Sequence, residues 1–333
     1  MRVAAILHPY AKDSLLEPFR SEQADLFRGN MVESNDLPDA VILFGGDGSV
    51  HRVIQAMAGS DCPLLVVPTG SGNDFAESIG MRTIGTAIVA WHKFLEGGEN
   101  TRTIDLGVVT PLSERPALVD EHAVPVSGET YIGEDGTFDK PEQSLGRAIM
   151  RQHLHHLYEA VTSESYFCCV AGAGLDSATN RRANKLPAFV RSHGGYIACA
   201  LASLFSYRQQ KITISVPDEE GFRARVSEPS LLAAIGNAPS YGHGMRIATD
   251  AQLDDGKLDV CFVRRAGRLR VIRMFRTVFN GKHLSLPEVE YFRAKELWLE
   301  SETPLEIYAD GEYICETPAE IRVKPKGLRV IVP

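Results

Sequence analysis

Two patterns of hydrophobic positions divide the chain. Near the N-terminus, residues 2–7, 40–44 and 64–68 are short apolar runs, and glycines and a helical stretch follow the last two. This alternation is typical of a parallel α/β sheet. From residue 211 onward the runs are short and alternating, which predicts an all-β C-terminal domain built as an antiparallel sandwich. The runs are residues 212–216, 230–235, 257–263, 296–300, 305–308, 320–323 and 328–332.

Two of the predicted strands lead into glycine turns that carry acids. Residues 45–49 read Gly-Gly-Asp-Gly-Ser, and residues 70–74 read Gly-Ser-Gly-Asn-Asp. A strand, a glycine turn and a helix start present backbone N–H groups to a phosphate, and such turns share one edge of a parallel sheet. The acid Asp47 suits this setting if Mg²⁺ lies between it and the phosphate, or if it moves a proton. The alternative is a carboxylate that caps the following helix.

Composition limits the classes of partner and the cellular compartment that we expect. The 333 residues are 44% hydrophobic and 23% charged, enough for two domains with separate cores, and the net charge of −8 argues against nucleic acid as a partner. The six cysteines form no C-x-x-C motif, which indicates reduced thiols in the cytoplasm. The sequence contains neither a signal peptide nor an apolar run long enough to span a bilayer.

Two segments could meet a lipid. Residues 264–276 contain six arginines interleaved with apolar residues, and this predicts a basic amphipathic helix. Such a helix is either a membrane-surface element or a solvated one. Residues 180–206 are predicted to be helical with an Ala- and Leu-rich face, which either lines a lipid pocket or packs in an ordinary core.

Residues 112–165 interrupt the pattern. Their first half, residues 113–141, is rich in Pro, Gly and acids and is predicted to be a loop, and residues 142–161 have helical spacing. A metal site is conceivable at three histidines in this stretch, but metal-binding helices usually pair histidines at i,i+4 with a third ligand, so ordinary exposed histidines are favoured: His153, His155 and His156. A lid, a partner surface and a local embellishment are all open for this insertion.

The order of the motifs resembles the diacylglycerol kinase catalytic-domain family. That family includes bacterial soluble diacylglycerol kinases, related bacterial lipid kinases, and sphingosine and ceramide kinases. The matching blocks are residues 45–49, 68–76, 236–237, 241–245, 251–260, 281–283 and 310–312.

This resemblance implies two domains. The first is a Rossmann-like α/β nucleotide-binding domain over residues 1–106, to which a tail of about residues 321–333 returns. The second is a β-sandwich lipid-binding domain over residues 107–320, with the insertion at about 112–165. The active site is expected in the cleft between them.

The resemblance also implies a nucleotide site. Its residues would be Gly45, Gly46, Asp47, Gly48, Ser49, His51, Gly70, Ser71, Gly72, Asn73 and Asp74. The family usually has Asn-Pro-x-Ser-Gly after the first strand, whereas this chain has His-Pro-Tyr-Ala-Lys at residues 8–12. Pro9 is retained. Lys12 would offer a positive charge to the phosphates in place of the missing residues, and the alternative is an ordinary solvated lysine.

Two Mg²⁺ sites and a base follow from the same resemblance. Asp47, Asp74 and Asp105 would form the acidic network around the catalytic Mg²⁺. A structural Mg²⁺ would be held by Gln252, Asp255 and Lys257, and the alternative there is a plain Asp-Asp-Gly turn. The catalytic motif is Asp310 to Glu312. Glu312 is expected to be the base, and Asp47 is the other candidate.

The expected function is ATP-dependent phosphorylation of a lipid hydroxyl, with diacylglycerol giving phosphatidic acid. Sphingosine, ceramide and phosphatidylglycerol are alternative acceptors, and an NAD kinase or a catalytically silent lipid-binding protein is more remote. The protein is expected in the cytoplasm, peripheral at the inner face of the membrane. The resemblance permits a homodimer.

Overall fold

A computed structural model of the chain describes residues 1–7, 12–29, 37–112, 164–186, 195–219, 221–242 and 244–333. Its N-terminal half contains a parallel sheet in the order β2-β1-β3-β4. The strands are β1 (Arg2–Ile6), β2 (Asp25–Gly29), β3 (Ala40–Gly45) and β4 (Leu64–Pro68). The helices are α1 (Asp47–Met57), α2 (Asp74–Ser78) and α3 (Ile84–Leu95), and short 3₁₀ turns lie at Asp13–Leu15 and Glu17–Phe19.

The parallel strands are apolar throughout because both faces of this sheet are covered. Every residue of β3 is buried. On one side, α3 buries Trp91, whose ring N–H donates to the carbonyl of Phe19 at 2.8 Å. The helix begins at a Thr83 cap, whose hydroxyl accepts the amide of Thr86 at 3.0 Å. The predicted strand–turn–helix units of this half are confirmed.

The C-terminal half is antiparallel, as the alternating pattern predicts. Its strands are β5 (Thr101–Pro111), β6 (Ser165–Phe167), β7 (Val170–Gly174), β8 (Gln210–Asp218), β9 (Gly221–Gly236), β10 (Leu258–Arg264), β11 (Val289–Ala294), β12 (Glu296–Ser301), β13 (Glu306–Ala309), β14 (Glu312–Glu316) and β15 (Ala319–Ile331). Their inward side chains form a second core, separate from that of the parallel sheet. The predicted combination of an α/β half and a β-sandwich-like half is confirmed.

Strand β15 joins the two halves. It pairs antiparallel with β5 along most of its length and with β12 near its start. Near its end, Val330 lies opposite Leu64 in a parallel pairing with β4. All fifteen strands therefore belong to one hydrogen-bonded sheet. The domain boundaries at residues 106 and 320 stay a prediction.

Three helices accompany the second half in the residues that the structure describes. They are α4 (Leu175–Ala183), α5 (Tyr196–Ser206) and α6 (Arg268–Val278), and a 3₁₀ turn lies at Lys282–Ser285. The prediction of one helix over residues 180–206 is wrong at its start. The first helix begins at Leu175 and ends at Ala183, and Pro187 follows in the sequence. A residue before proline disfavours helical backbone, which explains the break.

The insertion lies almost wholly outside the described residues. Strands β5 and β6, which flank it, pair antiparallel, with Val109 opposite Ser165. The proposed helix at 142–161 and its three histidines therefore stay predictions. In the ranges that the structure covers, none of the helices is long and apolar enough to cross a membrane.

Candidate active site

The two glycine turns pack directly against each other. The amide of Thr69 donates to the carbonyl of Gly45 at 3.2 Å, and the amide of Asp47 donates to the carbonyl of Gly72 at 3.1 Å. A β-carbon on Gly46 would lie 2.3 Å from the Gly72 carbonyl oxygen. One on Gly70 would lie 2.4 Å from the Gly46 α-carbon. Only glycine allows this approach, so both turns meet at one edge of the sheet.

Asn73 fixes the shape of the second turn. Its side-chain oxygen accepts the amide of Gly70 at 3.1 Å, and its side-chain nitrogen donates to the carbonyl of the same residue at 2.9 Å. Ser71, at the tip between them, is exposed. On the first turn, a β-carbon on Gly45 would overlap Ser49, which therefore packs on the strand end.

Asp47 spans the two turns. It is the first residue of α1, but its carboxylate accepts the amides of Asp74 and Phe75, at 3.2 and 3.0 Å. These are the first amides of α2, which has no side-chain cap of its own. Asp47 is therefore a helix cap, as one alternative predicted, but it caps the neighbouring helix rather than its own.

Burial and neighbouring acids shift the proton affinity of Asp47. Burial raises the pKa of its carboxyl to about 6, the hydrogen bond from Phe75 opposes the shift, and the charges of Asp74 and Asp310 add to it. A site with a surplus of negative charge is favourable for a cation.

Asp74 connects the N-terminal turns to the C-terminal half. It is 5% exposed, and its Oδ1 accepts the amide of Gly244 at 2.8 Å. Gly244 lies in a tight loop closed by hydrogen bonds between the backbones of Tyr241 and Met245. The loop has glycines with left-handed backbone at positions 242 and 244. The two halves of the chain thus meet at the acids.

Asp310 is buried at the tip of the β13–β14 hairpin. Asp310 and Gly311 have φ angles of 50° and 87°, as a two-residue type I′ turn requires. The Asp310 carboxylate accepts the amides of Cys168, Cys169 and Val170 at 2.8, 2.8 and 3.1 Å. This geometry ties the hairpin tip to the segment between β6 and β7.

His51 approaches Asp310 from α1. Its Nδ1 lies 3.6 Å from Asp310 Oδ2, an ion-pair distance, and makes no hydrogen bond to a described residue. Burial opposes the charged form of Asp310, but His51 and the backbone amides outweigh it and hold the pKa of Asp310 below its ordinary value. His51 is buried, so its position suits support of Asp310 better than contact with a nucleotide.

Glu312 lies two residues after Asp310, whose side chain is buried. Glu312 is exposed, and its Oε1 lies 3.3 Å from the position that a β-carbon on Gly48 would occupy. The carboxylate therefore stands over the first turn of α1. Of the two acids in the predicted Asp-Gly-Glu motif, the structure leaves only Glu312 accessible.

Two matching family models cover most of the described chain. The diacylglycerol kinase catalytic domain matches residues 10–109, and the YegS C-terminal NAD kinase beta sandwich-like domain matches residues 169–332. The chain is 30% identical to a diacylglycerol kinase of Mycobacterium tuberculosis over 295 residues, which are 89% of this chain and 77% of that protein. The chain belongs to the diacylglycerol kinase family.

More distant relatives agree with this assignment. A diacylglycerol kinase of Bacillus subtilis is 22% identical over 298 residues, covering 89% of this chain and 78% of that protein. A crystal structure of a diacylglycerol kinase from Bacillus anthracis has a TM-score of 0.60 at 15% identity, over 100% of this chain and 97% of that one, and it shows the common fold. The chain is a lipid kinase that phosphorylates an alcohol.

In this lipid kinase, both oxygens of the Asp105 carboxylate accept backbone amides, and the membership of Asp105 in the acidic network stays a prediction. Its Oδ2 accepts the amide of Gly256 at 2.7 Å, and its Oδ1 accepts the amide of Lys326 at 2.8 Å. Its own amide donates to the carbonyl of Leu253 at 2.6 Å. Each oxygen of the carboxylate thus accepts a hydrogen bond from a different loop.

The predicted structural Mg²⁺ loop is an ordered turn. The Asp255 carboxylate accepts the amide of Lys257 at 3.0 Å and lies 4.0 Å from Arg293. Gly256 adopts a left-handed backbone with φ 70°. These contacts also fit the plain Asp-Asp-Gly turn, so ligation of Mg²⁺ by Gln252, Asp255 and Lys257 stays a prediction.

The remaining predicted nucleotide contacts lie at the edge of the described chain. Pro9 lies outside the described residues. Lys12 is exposed, and its carbonyl begins the 3₁₀ turn Asp13–Leu15. The structure therefore leaves the contact of this loop with nucleotide as a prediction.

Sequence reasoning missed the groups that support the acids. Asn237 is fully buried and donates to the carbonyls of Asp105 and Cys168, at 3.0 and 3.1 Å. The Cys168 and Cys169 thiols lie 4.0 Å apart beside Asp310. Burial raises the pKa of the Cys168 thiol far above its ordinary value, so it stays protonated. The Gly-Asn dipeptide was the only sequence signal for this layer.

The role of another buried acid, Asp176, was also missed. The Asp176 carboxylate accepts the hydroxyls of Tyr241 and Tyr196 at 2.8 and 3.3 Å. Burial raises its pKa to about 6, although the two tyrosines oppose that shift. Tyr241 belongs to the loop that contacts Asp74, so this cluster borders the site.

Proposed function

We propose that this lipid kinase transfers the γ-phosphoryl group of ATP to the hydroxyl of diacylglycerol and so forms phosphatidic acid. One observation carries the proposal: an accessible carboxylate, Glu312, stands over the phosphate-binding type of turn formed by Gly46 and Gly48. A phosphoryl transfer to an alcohol needs held phosphates, neutralised charge and a base near the hydroxyl. Membership of the family implies ATP as the donor.

The nucleotide phosphates would lie on the two glycine turns. The first turn leads into α1, whose dipole favours an anion at its N-terminal end. Of the first three amides of this helix, those of Asp47 and Ser49 donate to the carbonyls of Gly72 and Gly46. Glycine at positions 46 and 70 lets the two turns lie in contact, so the phosphates would lie across both turns. Ser71 and Gly48 flank that surface.

Asp47 and Asp74 would hold Mg²⁺. Carboxylate oxygens are ligands that this hard cation prefers, and the raised pKa of Asp47 marks an excess of negative charge that a cation relieves. When bound, Mg²⁺ would neutralise charge on the phosphates. Asp47 remains anchored by the amides of Asp74 and Phe75, so its position is fixed before any ligand arrives.

Glu312 would accept the proton of the lipid hydroxyl. Asp47 is the rival base, but both of its oxygens already accept amides. Asp310 is buried and held by three amides, and it would act as a positioning residue that fixes the hairpin carrying Glu312. His51, whose Nδ1 lies 3.6 Å from Asp310 Oδ2, would stabilise the charged form of Asp310.

The location of the lipid acceptor determines where the kinase would act. Diacylglycerol resides in a bilayer, so the kinase would work as a peripheral protein at the cytoplasmic face of the membrane. A homodimer stays a prediction. Sphingosine, ceramide and phosphatidylglycerol also carry a hydroxyl near acyl chains, and they remain alternative acceptors.

Transfer of label from γ-labelled ATP to a panel of lipids in mixed micelles tests this function. The panel contains diacylglycerol, sphingosine, ceramide and phosphatidylglycerol, with NAD⁺ as a soluble acceptor. We expect labelled phosphatidic acid with the wild type and none with Asp47→Ala. If only another lipid were labelled, that lipid would be the acceptor in place of diacylglycerol. If only NAD⁺ were labelled, the assignment of a lipid acceptor would be overturned.

A further inference from the structure

The solvent-facing side of α6 combines exposed apolar side chains with arginines. Leu269 is 73% exposed, Ile272 is 37% exposed and Phe279, directly after the helix, is 44% exposed. The opposite side buries Val271 and Met274 against the protein. A helix that has already buried one apolar face has no packing reason to present a second one to water.

The same side of α6 is cationic. Residues 264–279 contain six arginines and no acid, in a chain whose net charge is −8. Arg264 pairs with Glu228 at 2.8 Å and Arg270 with Glu288 at 2.7 Å. The other four form no ion pair with any acid in the described part of the chain: Arg265, Arg268, Arg273 and Arg276.

These residues share one arc of the helix. At ~100° per residue, Arg268, Leu269, Ile272, Arg273, Arg276 and Phe279 fall within about 140°. All six are exposed. Apolar groups and arginines that alternate on one face match the interface of a bilayer, where the apolar groups enter the acyl boundary and the cations meet headgroup phosphates.

Helix α5 extends this surface. Its Leu201 and Phe205 are 44% and 59% exposed and lie four residues apart, on one face. The Arg268 guanidinium lies 5.7 Å from the centre of the Phe205 ring and donates to its carbonyl at 2.9 Å. The C-terminal end of α5 and the N-terminal end of α6 are therefore continuous.

Both helices lead back to the candidate active site. At the C-terminal end of α6, the carbonyl of Val278 accepts the amide of Arg246, two residues after the Gly244 that contacts Asp74. At the N-terminal end of α5, Tyr196 shares the Asp176 carboxylate with Tyr241. The loop that closes on Asp74 is thus in contact with each helix.

We propose that the exposed faces of α5 and α6 form a docking surface for an anionic phospholipid bilayer. The surface gives an acidic protein a local cationic and apolar contact, and it places the 241–246 loop beside the lipid phase. The proposal extends the proposed function, since it names the surface that delivers a bilayer lipid to the site. Binding to vesicles, however, needs no turnover and can be measured independently.

Co-sedimentation with vesicles tests the proposal on the full-length protein. The wild type should bind phosphatidylcholine vesicles that contain about one third phosphatidylglycerol, and it should bind pure phosphatidylcholine vesicles far less. Leu269→Glu combined with Ile272→Glu should abolish binding. The matched control is Val89→Glu on α3, an apolar residue that is 67% exposed, and it should bind like the wild type.

A second pair of substitutions tests the contribution of the arginine charges separately. Arg273→Gln with Arg276→Gln should weaken vesicle binding roughly 25-fold, because each arginine near an anionic surface contributes about fivefold. Arg82→Gln with Arg223→Gln, at exposed positions on other elements, should leave it unchanged. All the substituted side chains are exposed, and thermal melting checks that each variant is folded.

The outcomes separate docking from chemistry. The proposal gains support if the α6 variants lose vesicle binding but phosphorylate a short-chain, water-soluble diacylglycerol at the wild-type rate. Vesicle binding by the wild type without phosphorylation of any lipid would refute the acceptor and leave the docking surface standing. Equal vesicle binding by the wild type and the α6 variants would overturn the proposed docking surface, and so would a wild type that binds no vesicles. A wild-type dimer that Leu269→Glu dissociates would assign this face to a second copy instead.

Discussion

At the residue scale, one carboxylate has two tasks. Asp47 caps α2 through the amides of Asp74 and Phe75, and in the proposed mechanism it also faces Mg²⁺. The cap explains why a half-buried acid keeps one position without a bound cation. The cost is electrostatic, because burial and two neighbouring acids raise the pKa of this carboxyl to about 6.

This pKa makes Mg²⁺ binding depend on pH. Below about pH 6 Asp47 takes up a proton that competes with the cation, so the apparent affinity for Mg²⁺ should fall by up to tenfold per pH unit. Calorimetric titration of Mg²⁺ in the presence of ATP, between about pH 5 and about pH 8, measures this.

Asp47→Asn supplies the comparison. Because the folded-state pKa of Asp47 lies above the ordinary 3.8, the folded protein takes up this proton first. The wild type should therefore gain unfolding free energy relative to Asp47→Asn as the pH falls from about 6 to about 4. Asp61→Asn, on an exposed turn, should show neither effect. A flat difference between wild type and Asp47→Asn would contradict the assigned pKa.

The sequence identified the acids but not their environments. The resemblance selected Asp47, Asp74, Asp105, Asp310 and Glu312 as one group. The structure leaves Glu312 accessible and turns Asp310 and Asp105 towards backbone amides. Hydrogen-bond partners that lie 140 residues or more away, as for Asp310 and Val170, cannot be read from local pattern.

At the element scale, two strand–turn–helix units act as one. The backbones of Gly46 and Gly70 are in contact, so the position of each turn depends on that of the other. Glycine spacing predicted that the turns share a sheet edge. Their direct contact, and the capping of α2 from α1, needed the structure, because both depend on how the units pack.

Gly70→Ala tests this contact. A β-carbon at position 70 would lie 2.4 Å from the Gly46 α-carbon, and backbone cannot yield as a side chain does. We expect the unfolding free energy to fall by about 1–3 kcal/mol and the affinity for ATP to fall at least roughly tenfold. Denaturant titration and nucleotide binding measure the two effects.

Gly85→Ala is the matched control for this substitution. A β-carbon there meets nothing closer than 3.7 Å, and the residue lies in the first turn of α3, where alanine is the better helix former. Its stability should be unchanged or slightly higher. If Gly70→Ala behaved in the same way, the two turns would not be in contact.

At the scale of the whole molecule, Asp105 holds the halves together. It lies on β5, and it accepts amides from the 253–257 loop and from the bend of β15 at Lys326. Asn237 of β9–β10 connects the same strand to Cys168. The alternating pattern predicted the strands of this region. By itself it could not predict that β15 pairs with both halves, because strand partners are set by distant residues. The expectation that residues 321–333 return to the first domain came from the family resemblance.

Asp105→Asn should destabilise the whole chain. The new amide group can accept only one of the two N–H groups, and it turns a donor towards the other. Leaving a buried donor unpaired costs about 1–3 kcal/mol, which should appear as a lower midpoint in denaturant. Asp254→Asn is the control, because its ion pair with Arg102 is exposed and worth about 0–1 kcal/mol. Equal midpoints for both variants would contradict the role of Asp105.

The most direct test of the central claim is the rate of label transfer from γ-labelled ATP to diacylglycerol in Glu312→Gln. If Glu312 takes the proton of the lipid hydroxyl, kcat should fall by about 10²–10⁴ while KM for ATP changes little. Glu316→Gln, exposed at the far end of the same strand, should keep the wild-type rate. A wild-type kcat in Glu312→Gln would contradict the proposed active site.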